Sequence, residues 1–180
     1  NAIGFVKNMM LEPSDVTEIN KYQFEIDNFT TIYQEYEEYK KQNNYIDYDD
    51  MLVKALKILQ TEPNILNYYR NKYTHIQLDE GQDTSKIQYG IIKLLAKPLN
   101  NIFLVGDDDQ SIYQFRAAFP EELLNFSKTY PNAEVMFMEE NFRSSKDIVD
   151  LSSKFIQNNK IRYAKKAFTN NPEYRPVAIV

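Results

Sequence analysis

The chain has 180 residues, four glycines, no cysteine and a formal net charge of −5. The missing cysteines exclude disulfides and thiolate metal sites, no apolar run approaches the ~20 residues of a membrane-spanning helix, and the negative balance excludes nucleic-acid binding driven by bulk charge alone. What remains is a helix-rich chain with enough apolar residues for a core, suited to a reducing cytoplasm, forming one domain or one domain plus part of another.

In chain order, residues 14–43 are expected to form a long helix. Ser14 or Asp15 can cap it, and Tyr22, Ile26, Phe29, Ile32, Tyr33 and Tyr36 recur on one face. Asn43-Asn44 ends that pattern. A second helix is expected from about Asp47 to Leu59, with Met51, Leu52, Ala55, Leu56 and Leu59 on one side, and Pro63 suits the first turn of a third. The period then changes. Residues 75–78, 102–105 and 135–138 read as short strands, separated by helices over 84–96 and near 120–130, and followed by a helix over 144–158. Residues 176–180 look like the start of a further strand. Strands alternating with helices imply a parallel sheet with right-handed crossovers. In such a sheet ligands bind beyond the carboxyl ends of the strands, where Asp79-Glu80 and Gly106-Asp107 stand.

Three segments at strand ends carry the chemistry. Ile76-Gln-Leu-Asp-Glu-Gly-Gln-Asp-Thr84 places two adjacent carboxylates after a strand. One can hold Mg²⁺ through its water shell and the other can orient and deprotonate a water. The same acids would also suit the first turn of the following helix. Ile102-Phe-Leu-Val-Gly-Asp-Asp-Asp-Gln-Ser-Ile-Tyr113 crowds three carboxylates beside Gln110. That amide can donate to and accept from a terminal phosphate or a water, or the segment is an exposed turn. Phe115 and Arg116 follow, an aromatic and a cation in the pattern that stacks on bases and pairs with phosphates, or that packs in a core. Glu140-Asn-Phe-Arg-Ser-Ser145 opens a helix, with Arg143 placed to aim a guanidinium at a phosphate and Phe142 available to stack on adenine. Ordinary surface pairing of Arg143 and burial of Phe142 are the alternatives. Lys160, Arg162, Lys165 and Lys166 read as a solvated helix end. His75, the only histidine, reads as structural.

Taken together these segments resemble the superfamily 1 DNA helicases of the UvrD/Rep/PcrA type. Leu78-Asp-Glu-Gly-Gln-Asp-Thr84 resembles their Walker B box, Val105-Gly-Asp-Asp-Asp-Gln-Ser-Ile-Tyr-Gln-Phe-Arg116 their third motif, and Glu140-Asn-Phe-Arg-Ser-Ser145 their fourth. Upstream, Tyr45-Ile-Asp-Tyr-Asp-Asp-Met-Leu52 is similar to the family's D-F/Y-D-D-L-L/I element. The resemblance implies an α/β fold: a partial RecA-like parallel sheet flanked by helices, with an N-terminal helical segment. Residues 1–43 would be the end of the 1B insertion, 44–170 the later half of motor domain 1A, and 171–180 the start of the second motor domain. It implies ATP as substrate and Mg²⁺ as cofactor. Asp79 would serve the metal and Glu80 would activate water, with both near the ion. Gln110 and Arg143 would contact the γ-phosphate, and Phe142 would stack on the adenine. Tyr113, Phe115 and Arg116 would meet single-stranded DNA, with duplex DNA as the further partner and no membrane.

The chain departs from the pattern at Gly81, where the family carries Phe or Tyr, and at Ala117, where it carries Gly. The first removes a packing ring and frees the backbone; the second is strained if its φ is positive. No G-x-x-x-x-G-K-S/T loop occurs in the 180 residues. The expectation is therefore a piece of an ATP-dependent 3′→5′ helicase that is inactive alone and whose open sheet edges invite self-association. The alternative is a non-catalytic module that binds DNA or a partner. A two-metal nuclease built from the same acidic residues would need several ligands converging within about 4 Å.

Overall fold

Residues 2–15, 26–111 and 117–174 are described by a computed structural model. The chain divides into two compact units, Asn1–Leu123 and Leu124–Val180. No helix among the described residues is long and apolar enough to cross a membrane.

The first unit is a small parallel sheet flanked by helices. Its elements are α1 (Ala2–Asn8), α2 (Phe29–Gln42), α3 (Tyr48–Thr61), α4 (Pro63–Lys72), β1 (Ile76–Leu78), α5 (Lys86–Ala96), β2 (Ile102–Leu104) and α6 (Pro120–Leu124). The strands pair in register, Ile76 with Ile102 and Leu78 with Leu104. Because α5 is the crossover between them, both strands point the same way and both end at the same edge.

Local sequence explains the helix starts. Asp47 caps α3: its Oδ1 accepts from the Asp50 N–H at 2.7 Å, and Asp50 Oδ2 accepts from the Asp47 N–H at 2.9 Å. This reciprocal pair satisfies two donors that a helix start otherwise leaves open. Ser85 and Gln88 form the same device for α5, and Pro63 opens α4. The expected helix over 14–43 is shorter than the apolar period suggests. Residues 16–25, with Tyr22, lie outside the described residues. Residues 26–28 are not helical, because Asn28 takes a left-handed backbone (φ 56°) and α2 starts after it. Asparagine tolerates that conformation better than most residues, so the turn overrides the pattern.

The core lies in two clusters against α1. Val6 and Ala2 meet Phe29 of α2, and Phe5 and Met9 meet Ala117. Helix α3 packs on α5, α1 and α4, burying Leu56 and Leu59 while leaving Met51 exposed.

A buried ionic cluster ties α1, α2 and α3 together. Lys7 Nζ lies 2.6 Å from Asp50, 2.8 Å from Glu37 and 2.9 Å from Asp47. Lys40 Nζ reaches the same three carboxylates at 2.6, 2.8 and 3.0 Å. Burial alone would lower the lysine pKa values and raise those of the aspartates. The mutual hydrogen bonds outweigh it, holding Lys7 and Lys40 above the ordinary lysine range and Asp47 and Asp50 below the ordinary carboxylate range. Asp49 faces α1 instead and accepts from Asn8 at 2.6 Å. A Cβ on Gly4 would lie 2.6 Å from its carboxylate, so a side chain at position 4 would displace the Asp49 carboxylate from its present place. The acidic element at 47–50 is therefore a helix-joining device.

The second unit contains α7 (Phe126–Thr129) and α8 (Lys146–Ile156). The expected strand over 135–138 does not form. Those residues have no ladder partner among the described residues, and Met138 is 94 % exposed. Pairing begins just beyond, as a parallel bridge between Glu140 and Phe168. An apolar run makes a strand only where a neighbour takes its hydrogen bonds. Residues 176–180 lie outside the described residues.

Candidate functional site

Both strands of the first unit end in a 3-10 turn, Gly81–Asp83 after β1 and Asp108–Gln110 after β2. The strand ladder continues into these turns. The Val105 N–H donates to Leu78 O at 2.8 Å and the Gly81 N–H to Val105 O at 2.9 Å. Two loops are thus held side by side at the carboxyl edge of the sheet.

Gln82 joins them. It is 1 % exposed. Its Nε2 donates to Glu80 Oε2 at 2.7 Å, and its Oε1 accepts from the Asp107 N–H at 3.0 Å. Asp107 in turn accepts at Oδ2 from Gln110 Nε2 at 2.7 Å and at Oδ1 from the Asp109 N–H at 3.1 Å. A continuous relay therefore runs Glu80–Gln82–Asp107–Gln110. Asp79 and Glu80 are exposed at its mouth, and Asp79 Oδ1 accepts from the Glu80 N–H at 2.9 Å. Glu80 itself takes a left-handed backbone, φ 51° and ψ 45°, which turns its carboxylate back over the strand end and toward Gln82.

Two glycines make the approach possible. A Cβ on Gly106 would lie 2.9 Å from Gln82 Oε1 and 3.2 Å from the Gly81 nitrogen. A Cβ on Gly81 would lie 2.9 Å from Leu104 Cδ2. The backbone at Gly81 is not free. Its carbonyl accepts from the Tyr89 hydroxyl at 2.7 Å and from the Thr84 N–H at 3.2 Å. Burial, with the Glu122 carboxylate adding to it, pushes the Tyr89 hydroxyl well above the ordinary phenol range and keeps it a donor. The space of a larger residue at 81 is filled by Leu104 and by this hydroxyl.

The segment after Gln110 returns to the same place. Ala118 bridges Ser85, and the Phe119 N–H donates to Thr84 O at 2.9 Å. Ala117 has φ 66° and is fully buried, so the positive φ that the sequence allowed for is present. Tyr113, Phe115 and Arg116 lie outside the described residues.

In the second unit, Asn141 shapes the turn that carries the other two candidates. Its Oδ1 accepts from the N–H groups of Arg143 (3.0 Å) and Ser144 (2.8 Å). Asn171 Nδ2 donates to the carbonyls of Phe142 (3.1 Å) and Ser144 (2.9 Å). The Phe142 ring is 76 % exposed. Arg143 is exposed, and its guanidinium makes no hydrogen bond or ion pair among the described residues. Ser145 occupies the cap position of α8 without a side-chain cap bond. Neither Phe142 nor Arg143 is spent on packing or pairing within its own unit.

Asp79, Glu80 and Gln110 are thus brought to one edge, through Gln82 and Asp107. The buried role of Gln82 and the hydroxyl of Tyr89 were not assigned from the sequence. The usable signal was the amide of Gln82, which a helix cap does not require. Among the described residues, three carboxylates within common reach of one ion occur only at Glu37, Asp47 and Asp50, where Lys7 and Lys40 already fill the space. Among the described residues, the acidic turns at 79–80 and 107–109 do not form such a group.

A family model for the UvrD/REP helicase N-terminal domain matches residues 1–131. The chain is 38 % identical over 171 residues to the ATP-dependent DNA helicase PcrA of Staphylococcus aureus (strain Mu50), covering 94 % of this chain and 23 % of that protein. It is 38 % identical over 173 residues to a probable DNA helicase II homolog of Mycoplasma capricolum subsp. capricolum, covering 96 % of this chain and 24 % of that one. The PcrA of Staphylococcus epidermidis is 37 % identical over 171 residues. The chain spans about a quarter of the length of the curated relatives it matches.

Proposed function

The chain belongs to the UvrD/REP helicase family, and from that premise we propose that it carries the hydrolysis and phosphate-sensing turns of an ATP-driven 3′→5′ DNA helicase. Residues 1–43 would belong to a 1B-type helical segment, 44–170 to the later half of a RecA-like domain 1A, and 171–180 to the second motor domain. The observation that carries the reading is the relay Glu80–Gln82–Asp107–Gln110. It gives the water-activating carboxylate and the phosphate-contacting amide a shared support, anchored on the buried Gln82.

Asp79 and Glu80 suit Mg²⁺, which is usually held by one or two carboxylates together with substrate phosphates and retained waters. The backbone N–H on Asp79 Oδ1 orients that carboxylate while leaving it exposed. Bound Mg²⁺ would neutralise phosphate charge. Glu80, aimed by Gln82, would hold the attacking water and take its proton on a carboxylate oxygen. Gln110 and Arg143 would contact the γ-phosphate oxygens, and the exposed Phe142 ring would stack on adenine. Tyr113, Phe115 and Arg116 would meet single-stranded DNA. Since Gln110 and that DNA-contacting segment share one loop, a shift at the phosphate end would move the DNA end. The partners are then ATP and single-stranded and duplex DNA, in the cytoplasm. Each of the two strands has one edge without a strand neighbour among the described residues, which favours self-association of the isolated chain.

No G-x-x-x-x-G-K-S/T sequence occurs within these 180 residues, so the chain alone is expected to show no DNA-stimulated ATP turnover. In a longer protein that supplies such a loop, Glu80→Gln should lower turnover and unwinding by about a hundredfold or more while ATP still binds. Unwinding at the native rate by that variant would overturn the assignment. So would ATP turnover by the highly purified 180-residue chain that is lost on Glu80→Gln.

A further inference from the structure

The amino end of the sheet, opposite the acidic turns, has the reverse character. No Asp or Glu occurs from Pro63 to Leu78, or from Thr84 to Gly106; of the cations in those stretches Arg70, Lys72 and Lys97 stand at this end, while Lys86 opens α5 on the side of the acidic turns and Lys93 lies within α5. In a chain of net charge −5 this is a local inversion. Lys93 is paired with Glu122 at 2.6 Å, but Lys72 and Lys97 are exposed.

Aromatic rings stand among these cations. Tyr68, Tyr69 and Tyr73 are 59, 38 and 48 % exposed. The Tyr69 and Tyr73 rings lie nearly parallel, 6° apart with centroids at 6.2 Å. Lys72 Nζ sits 5.3 Å from the Tyr73 ring and 5.9 Å from that of Tyr68. Beside them is a hollow of about 210 Å³, lined by Arg70, Tyr73, Thr74, Leu95, Lys97 and Asn101 among others, with no carboxylate in its wall. Arg70 is fixed there because its Nε donates to Leu94 O at 2.8 Å. Its remaining N–H donors stay available.

Three tyrosines left exposed on one short helix and its end would be a solubility burden for a face that meets only water. Exposed rings with interleaved cations suit stacked bases and a phosphate backbone. An acidic peptide would use the cations but not the rings. We infer that α4 and the hollow beside it form a second surface for single-stranded nucleic acid, with bases on Tyr69 and Tyr73 and phosphates against Lys72, Lys97 and Arg70. The surface lies at the opposite strand ends from Asp79 and Asp107 and does not rest on the hydrolytic reading.

The test is fluorescence anisotropy of a labelled oligothymidylate with the 180-residue chain, titrated with salt. Replacing Tyr69 and Tyr73 together by Ala should weaken binding roughly five- to hundredfold. Lys72→Glu with Lys97→Glu should flatten the dependence of log K on log salt by about 0.7 for each phosphate no longer neutralised. Both effects should persist in a Phe115→Ala, Arg116→Ala background, so failure of the loop assignment leaves this result readable. An oligonucleotide carrying 4-thiothymidine should cross-link within residues 63–73. Unchanged affinity and salt slope in both variants, or cross-links confined elsewhere, would overturn the proposal. Polyglutamate binding that these variants abolish, without oligothymidylate binding, would also overturn it, in favour of an acidic protein partner. Should the tyrosine variant fail to fold by circular dichroism, the exposed lysine pair and the cross-link decide.

Discussion

Replacing Gln82 by Met keeps the length of the side chain and removes both of its hydrogen bonds. The Asp107 N–H then loses its acceptor in a partly buried place, at a cost of about 1–3 kcal/mol. The bond to Glu80 is to a charged group but an exposed one, so screening leaves it worth about 1 kcal/mol. Burying a thioether instead of an amide returns part of this, on the order of 1 kcal/mol. The expected net loss is about 1–3 kcal/mol, read as a lower urea midpoint for the first unit at unchanged slope. Gln82→Glu separates the two bonds. It keeps an oxygen for Asp107 but sets a second carboxylate 2.7 Å from that of Glu80. Two carboxylates this close cannot both ionise, so the folded pair has a raised pKa. The penalty should be largest at neutral pH and shrink as the pH falls toward 5 and the pair takes up a proton. A Gln82→Met protein within about 0.5 kcal/mol of the parent, or a Gln82→Glu penalty that ignores pH, would refute the relay.

Three other perturbations follow from the packing. Lys7→Met should cost about 3–5 kcal/mol, because it leaves three carboxylates with one ammonium in a buried cluster. Asp47 and Asp50 are held below the ordinary carboxylate range, so their contribution is present above their unfolded pKa and lost as pH falls through the folded one. Lys7 and Lys40 are held above theirs, so their contribution is lost only as pH rises through the folded values. Acid unfolding followed by circular dichroism should therefore begin at higher pH in Lys7→Met than in the parent. Gly106→Ala should cost about 1–3 kcal/mol by driving Gln82 Oε1 off the Asp107 N–H, and the loss should be less than additive with Gln82→Met in a double-mutant cycle. Ala117→Gly should leave the urea midpoint nearly unchanged. Relief of a left-handed alanine, about 1–2 kcal/mol, is offset by a lost buried methyl group of about 0.8 kcal/mol and by a freer unfolded chain. Ala117→Val, branched and fully buried at φ 66°, should be strongly destabilising by the same measurement.

Much of the first unit is legible in its residues alone. The period change at 75–78, the strand starting at Ile102 and the helices expected from about Asp47 and over 84–96 all lie where local chemistry puts them. What the sequence hides is set by partners distant along the chain. Lys7 and Asp50 are far apart in sequence, and no local pattern announces that the acidic element of α3 faces two lysines. Gln82 stands out as an amide without an evident local task, yet its role needs the second turn beside it. The helix over 14–43 is cut short because apolar spacing says nothing about a left-handed Asn28. The strand at 135–138 fails because apolar residues do not reveal whether a neighbouring edge exists. Arg143 and Phe142 are left exposed and unengaged within their unit, so neither the surface pairing nor the burial open to them in sequence is what forms there.

Glu80 holds its carboxylate on a backbone conformation that asparagine or glycine would occupy with less strain. A variant library sorted only for thermal resistance should therefore enrich Glu80→Gly and Glu80→Asn, erasing the carboxylate that Gln82 holds. Persistence of glutamate at this position in natural lineages would be a record of selection acting against the stability gradient, legible from one torsion angle.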